Sequence, residues 1–179
     1  LNTTYSLGRR TLNFLLSFAE FEREDTSERI REKVAASKKK GMWMGGPVPL
    51  GYRLGDRKLV MHDHEAEIVR SIFRRYSELR SVARLVDELA QQNVRTKVRQ
   101  YSNGRTAGGV HFQRGSLSQL LQNPIFIGKV SYRGELYDGE HDGVIAEDVW
   151  AQVQQILAVN RHQRKLGKQT RYPSLVTGM

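Results

Sequence analysis

The sequence has 179 residues and a mass of 20.5 kDa, enough for one ordinary domain with an appendage or for two small domains. It contains no cysteine, which excludes a disulfide scaffold, a cysteine-based zinc site and a thiol nucleophile within these residues, and no apolar run is long enough to span a membrane. Its formal net charge of +10, with 39% hydrophobic residues, predicts a folded protein that binds a polyanion, usually a nucleic acid.

The first forty residues predict one long helix. No proline interrupts residues 8–40, and Ser6 or Thr4 is placed to cap the start. The front half is apolar on more than one side, which favours burial against two neighbours. These apolar residues are Leu12, Phe14, Leu15, Leu16, Phe18, Ala19 and Phe21.

The back half of this helix is charged and ends in the basic run Lys38, Lys39 and Lys40. Residues 41–49, which contain three glycines, two prolines and Trp43, then predict an extended arm. A basic helix followed by a thin arm is typical of proteins that follow a DNA backbone and enter its minor groove. Alternatively, the lysines only complement the negative end of the helix dipole.

The next segments predict a hairpin over residues 51–60 and two amphipathic helices, the first capped by Asp63 and the second by Ser81. No acidic residue occurs between Leu89 and Gly134. Residues 94–114 lack a core pattern, which predicts a functional loop or ribbon. We expect phosphate contacts from its basic residues Arg95, Lys97, Arg99, Arg105 and Arg114.

A short helix over residues 117–122 is expected next, capped by Ser116. Ser116, Ser118 and Gln119 are candidates for contacts to base edges, because they oppose a leucine-rich side as in a helix that occupies the major groove. A simple amphipathic helix with a solvated polar face explains the pattern equally well. Residues 125–133 then predict a strand, residues 146–159 a last helix, and residues 160–179 a linker.

No self-sufficient active site is evident in the sequence. The cluster of residues 62–65 contains two histidines, an aspartate and a glutamate, but neighbouring residues at a helix start rarely direct their side chains to one ion. No serine lies in a recognisable nucleophile motif, and no glycine-rich loop precedes a helix in the way that phosphate binding requires. We therefore predict no metal and no cofactor for this chain.

In combination, these segments resemble the large serine recombinases, the serine integrases among them. Residues 3–9 (TTYSLGR), 15–24 (LLSFAEFERE) and 27–31 (SERIR) are similar to the end of the resolvase-type catalytic domain and its long helix. Residues 38–41 (KKKG), 45–46 (GG), 49–52 (PLGY) and 120–128 (LLQNPIFIG), together with Trp150, are similar to the recombinase DNA-binding domain that follows.

The resemblance implies a helix-rich α+β fold and a division of the chain into four parts. Residues 1–41 are expected to form the long helix of the catalytic domain, residues 42–50 an extended linker, residues 51–160 the DNA-binding domain, and residues 161–179 a linker toward a zinc-ribbon domain. Zinc is expected only in that further domain.

The family carries out site-specific DNA recombination and integration through a serine nucleophile, without metal. Nothing in this sequence matches that serine, so the chain alone is expected to be inactive. By similarity, Arg23, Glu28 and Arg29 are accessory catalytic residues. The implied partners are double-stranded DNA at an attachment half-site and further copies of the protein, as a dimer or a synaptic tetramer. The implied location is the cytoplasm of a bacterium, with the protein encoded by a phage or another mobile element.

Two other functions stay open at this stage. The chain is alternatively a basic RNA-binding protein, or a structural assembly module that associates through the phenylalanine-rich helix.

Overall fold

The structure, a computed structural model, describes residues 6–101 and 103–169. Within those residues the chain forms five helices and three two-stranded antiparallel sheets, which confirms the predicted helix-rich α+β class. In chain order the elements are α1 (Ser6–Lys39), β1 (Tyr52–Gly55), β2 (Lys58–Met61), α2 (Asp63–Leu79), α3 (Val82–Gln91), β3 (Arg99–Gln100), β4 (Thr106–Ala107), α4 (Arg114–Leu121), β5 (Lys129–Tyr132), β6 (Glu135–Asp138) and α5 (Glu147–Gln169). No helix in the described ranges is long and apolar enough to cross a bilayer.

Helix α1 has 34 residues and carries an ion pair across one helical turn, between the Asp25 carboxylate and the Arg29 guanidinium at 3.1 Å. Its apolar side chains lie largely in solvent, with Phe14 71% and Phe21 66% exposed. The helix ends in the reciprocal hydrogen bonds typical of a glycine C-cap, because Met42 N–H donates to the Ser37 carbonyl and Gly41 N–H to that of Lys38. Ser6 lies inside the helix and Thr4 lies outside the described residues.

The core forms around one buried face of α2. Val69, Ile72, Phe73 and Tyr76 on this face are fully buried. Helices α3 and α5 contact α2 directly, and α4 packs between α3 and α5 through Leu117 and Leu121. Burying a side chain of this size stabilises the fold by about 1.5–3 kcal/mol. The apolar periodicity of α2 and α3 in the sequence therefore marks the helix faces that are buried in the core.

The caps of two helices differ from the sequence prediction. His62, not Asp63, is the N-cap of α2, and its Nδ1 accepts the Glu65 N–H at 3.3 Å. Asp63 becomes the first helical residue, where its charge still lies at the positive end of the helix dipole. Ser81 caps α3 as predicted, at 3.5 Å from the Arg84 amide.

Helix α4 begins earlier than predicted, at Arg114, with Gln113 as its N-cap. Ser116 is therefore not the cap but the third helical residue, and its hydroxyl accepts the Gln113 N–H at 3.1 Å in a capping box. The strand predicted over residues 125–133 is also partly wrong. Residues 124–127 form a 3₁₀ turn, since Asn123 caps it through the Ile125 N–H, and the strand β5 begins only after Gly128.

The last helix, α5, is longer than predicted and continues to Gln169. Residues 161–169, expected to belong to a linker, are therefore helical, because no proline or glycine cap ends the helix at Asn160. Residues 170–179 of the expected linker lie outside the described residues.

The buried Tyr52 joins the β1–β2 hairpin to residues 125–142. Its hydroxyl lies 3.0 Å from the Ile125 carbonyl oxygen and 2.9 Å from that of Asp142. The His141 Nε2 lies 2.9 Å from the same Ile125 oxygen, and its ring meets Tyr52 edge-on. Burial raises the pKa of Tyr52, so its hydroxyl stays protonated and able to donate.

We expect Tyr52→Phe to lower the free energy of unfolding by about 1–3 kcal/mol, because two part-buried hydrogen bonds of the hydroxyl, to the Ile125 and Asp142 carbonyls, are lost. Urea unfolding followed by circular dichroism measures this loss. Tyr137→Phe is the matched control, since Tyr137 donates only to the exposed Glu135 and its loss should stay within about 0.5 kcal/mol. Equal losses for the two variants would contradict this role for Tyr52.

Candidate nucleic-acid interface

The acid-free segment forms the ribbon predicted from its sequence. Strands β3 and β4 pair Arg99 with Ala107 and Gln100 with Thr106, and an isolated bridge joins Arg95 to His111. Between these pairs, Thr96 hydrogen-bonds to both Gly109 and Val110, at 3.0 and 2.8 Å. We name residues 95–111 the ribbon. Because its regular strands have two residues each, contacts with the rest of the domain must fix its position.

The ribbon, the arm (residues 42–50) and α4 meet in a groove of about 330 Å³, which we name the interface groove. Its polar wall combines side chains from the ribbon and from α4, and its floor is apolar. The lining residues are Pro49, Leu50, Thr96, Lys97, Arg99, Gly108, Phe112, Ser116, Gln119, Leu120, Asn123 and Phe126. The fold therefore brings together four of the residues selected from the sequence, namely Lys97, Arg99, Ser116 and Gln119.

The three candidates for base contacts on α4 differ in how free their side chains are. The Ser116 hydroxyl is committed to the Gln113 backbone, and the Ser118 hydroxyl accepts from the Gln122 amide at 2.9 Å. Gln119 is exposed and has no hydrogen-bond partner among the described residues. Gln119 is therefore the side chain of the three that is available to a ligand.

A second groove, of about 380 Å³, lies between the end of α1, the arm and residues 123–131, and we name it the arm groove. Lys38, Trp43 and Asn123 are among its lining residues. Asn123 also lines the interface groove, so the two grooves adjoin at this residue. No carboxylate is among the lining residues of either groove, which suits a polyanion.

Trp43 and Lys38 are less free than the sequence suggested. The Trp43 ring packs against the hydrophobic core and so anchors the arm to the domain. The Lys38 ammonium lies 5.3 Å from the centre of the Tyr132 ring, within the range of a cation–π contact. Lys39 and Lys40, by contrast, are exposed at the end of α1.

The basic residues of the ribbon and of α4 fall into two groups. Lys97 is ion-paired with Glu65 at 2.6 Å and only 17% of its side chain is exposed, so its charge is neutralised within the protein. The phosphate contact expected of Lys97 stays a prediction, and its partner Glu65 lies 32 residues away in the chain. Arg95, Arg105 and Arg114 are exposed.

Arg99 is the cation best placed in the interface groove. Arg99 lines the groove, and its Nε is buried with no hydrogen-bond partner in the described part of the chain. A buried donor without a partner is costly, which favours an acceptor from a ligand at this position.

The accessory catalytic candidates lie elsewhere, on α1. Arg23, Glu28 and Arg29 are exposed, and Arg29 pairs with Asp25. Since each helical residue turns by about 100°, Arg23 and Glu28 point roughly 140° apart and do not share a face. Their catalytic role stays a prediction.

Two residues at the interface were missed in the sequence. The sequence pattern indicates Asn123 only as part of the motif at residues 120–128, and Glu65 only as part of the weak metal cluster at residues 62–65. In the structure, Glu65 is bound by Lys97 and by the Gly51 N–H, and the described residues contain no group of three side chains arranged to hold a metal ion. No local signal indicates the role of Glu65, because its partners are distant in the chain, and only tertiary packing brings Asn123 to both grooves.

We expect Gly41→Ala to loosen the junction between α1 and the domain. Gly41 has φ +76°, its carbonyl accepts the Glu140 N–H at 3.1 Å, and an added Cβ would overlap the Asp138 carbonyl oxygen. For alanine, the left-handed conformation alone costs about 1–2 kcal/mol. Hydrogen exchange of the Glu140 amide should therefore accelerate about tenfold or more. Hydrogen exchange followed by NMR measures this rate.

The control is Gly46→Ala, because Gly46 has φ +105° but no atom within 4 Å of the added Cβ. It should leave the Glu140 amide unchanged. An unchanged Glu140 rate in Gly41→Ala would show that this glycine does not fix the junction.

Comparison with known proteins identifies the family. A family model described as Recombinase matches residues 63–160, which is more than half of the chain. No curated protein matches. The solved structure described as "Crystal Structure of a LSR-DNA Complex" has a TM-score of 0.59 at 23% identity, covering 73% of this chain and 38% of that one.

A structure from work on "Sequence Requirements of the Listeria innocua prophage attP site" has a TM-score of 0.60 at 21% identity, covering 73% of this chain and 51% of that one. The chain thus spans about half or less of the solved proteins that share its fold. The match over residues 63–160 confirms the resemblance to large serine recombinases seen in the sequence, and the chain belongs to the Recombinase family.

Proposed function

We propose that this chain binds double-stranded DNA as the DNA-binding region of a site-specific serine recombinase. In this role it holds an attachment half-site during strand exchange and acts in the cytoplasm. The observation that carries the proposal is the shared groove, in which Arg99 of the ribbon and Gln119 of α4 lie together next to the arm. The shared fold with a protein described as an LSR–DNA complex supports it.

The proposed division of labour follows from which side chains are exposed or line the interface groove, and from which cations have no carboxylate partner among the described residues. Exposed cations neutralise phosphates and position the protein without reading sequence; they are Lys39, Lys40, Arg95, Arg105 and Arg114, with Arg99 from the groove. Gln119 reads a base edge, since a glutamine amide matches the N6 and N7 atoms of adenine in the major groove. Such a contact discriminates by about 1–3 kcal/mol.

We assign no cleavage step to the described residues. From the family resemblance, we propose that the nucleophilic serine lies outside the described residues. Arg23, Glu28 and Arg29 would then act from the helix that leaves the catalytic domain, as accessory groups near the DNA phosphate.

We further propose that α1 associates with another copy of the protein. Phe14, Phe18 and Phe21 are each more than half exposed, an apolar surface that a lone helix does not retain in water without a partner. In the full protein this association would accompany the pairing of DNA sites.

Fluorescence anisotropy with a labelled duplex tests the DNA-binding proposal. If about six phosphates are neutralised, the plot of log affinity against log salt should have a slope near −5. Arg99→Gln should reduce that slope by about 0.9. The matched control is Arg84→Gln, since Arg84 is exposed on α3 and lines neither groove, so its slope should not change.

Gln119→Ala should instead narrow the difference in affinity between preferred and random duplexes, with the slope unchanged. A flat salt response of the unmodified chain would contradict duplex binding. Stronger binding to structured RNA than to duplex DNA would favour the RNA-binding alternative, because the A-form major groove does not admit a helix.

Light scattering coupled to size exclusion tests the association through α1. We expect a concentration-dependent oligomer that becomes monomeric when Phe14, Phe18 and Phe21 are all changed to Ser, because the apolar contact is removed. Val98→Ser is the control, since Val98 is 63% exposed on the ribbon. A monomer at every concentration of the unmodified chain would contradict this association.

A further inference from the structure

A partly buried charge pair lies where the arm, α2 and the ribbon meet. The Lys97 Nζ and the Glu65 Oε2 are 2.6 Å apart, and the same Oε2 accepts the Gly51 N–H at 3.0 Å. Lys97 also donates to the Tyr52 carbonyl oxygen. Only 17% of the Lys97 side chain and 21% of the Glu65 side chain are exposed. We name this group of contacts the Glu65 junction.

The junction connects three segments that are far apart in the sequence. Glu65 lies in the first turn of α2, Gly51 follows the arm directly, and Lys97 lies in the ribbon. The ribbon has few other anchors, since its apolar side chains Val98 and Val110 are 63% and 59% exposed. Among the described residues, Lys97 therefore supplies a polar contact that holds the ribbon against α2 and β1, and Glu65 extends it to Gly51 at the end of the arm.

A charge pair in this environment adds little net stability, because desolvation of both groups offsets most of their attraction. The pair does restrict the geometry of these segments, since the lysine must reach two acceptors, Glu65 and the Tyr52 carbonyl, at the same time. Such pairs are well suited to hold one particular arrangement of segments.

We propose that Glu65 and Lys97 are positioning residues for DNA recognition. They hold the ribbon against α2, whose core also carries α4, so that Arg99 of the ribbon and Gln119 of α4 reach the same stretch of duplex. The proposal rests on the DNA-binding function proposed above, and it excludes Lys97 from the residues that neutralise phosphate.

The electrostatics of the junction support this assignment. Two of the three N–H groups of the Lys97 ammonium are bound to Glu65 and to the Tyr52 carbonyl, so a phosphate that drew the ammonium away would break both contacts. The Glu65 carboxylate would then face a polyanion without its partner, and the like charges would repel each other. Pairing the two groups keeps the carboxylate from opposing the DNA.

The test removes both charges together, so that the net charge of the protein does not change. A preferred duplex is first selected in vitro with the unmodified chain from a random-sequence pool. Anisotropy titrations then measure the salt slope, and the ratio of affinities for the preferred and a random duplex, for the Glu65→Gln, Lys97→Gln double variant.

We expect the salt slope of the double variant to stay unchanged, while the ratio of affinities falls about tenfold. The matched control is the Arg75→Gln, Glu88→Gln double variant, which removes a pair at 2.6 Å between α2 and α3 away from both grooves. The control should keep both the slope and the ratio. If the Lys97 variant does not fold, Glu65→Gln alone retains the acceptor for Gly51, and its ratio should still fall.

Three results would overturn the proposal. A slope reduced by about 0.9 in the double variant would make Lys97 a phosphate contact. An unchanged ratio of affinities in the double variant would make the junction merely structural. If the double variant does not fold, the same result for Glu65→Gln would do so. An unmodified chain that binds no duplex at low salt would overturn the DNA-binding function itself, and this is read before any variant is compared.

Discussion

The buried face of α2 is the constraint on which the rest of the domain depends. Because Val69, Ile72, Phe73 and Tyr76 are fully buried, α3 and α5 pack directly on this helix. Leu117 and Leu121 of α4 are buried in the same core, and Gln119 on the other side of this helix therefore faces the interface groove. The position of a polar, ligand-facing side chain thus follows from the packing of apolar ones.

The number of lysines and arginines in the chain overstates how many cations are free to bind a polyanion. Several cations are committed to internal partners: Lys97 to Glu65, Arg75 to Glu88, Lys58 to Glu140 and Lys129 to Glu147. In the same way, the hydrogen bond with Arg75 lowers the pKa of Glu88. The cations near the grooves that have no such partner among the described residues, Arg99 above all, define the proposed interface.

The sequence predicted those features that depend on residues close together in the chain. The apolar spacing of α2 and α3, the ribbon and the Ser81 cap were all predicted correctly. The cap of α2 was placed one residue late, because His62 and Asp63 are both able to cap. The apolar run after Pro124 suggested a strand, but the Asn123 cap makes it a 3₁₀ turn. The pairing of Lys97 with Glu65 was not predictable, since nothing local marks two side chains that only tertiary folding brings together.

We propose that the ribbon, the arm and α4 form one surface that binds duplex DNA. Hydrogen–deuterium exchange by mass spectrometry, with and without a short random-sequence duplex at low salt, tests it most directly. If these segments bind the duplex, backbone amides in residues 38–50 and 95–123 should exchange more slowly when it is present. The exchange rates on the outer faces of α2 and α5 should not change. Protection confined to α2 and α5, or spread evenly over the chain, would contradict it.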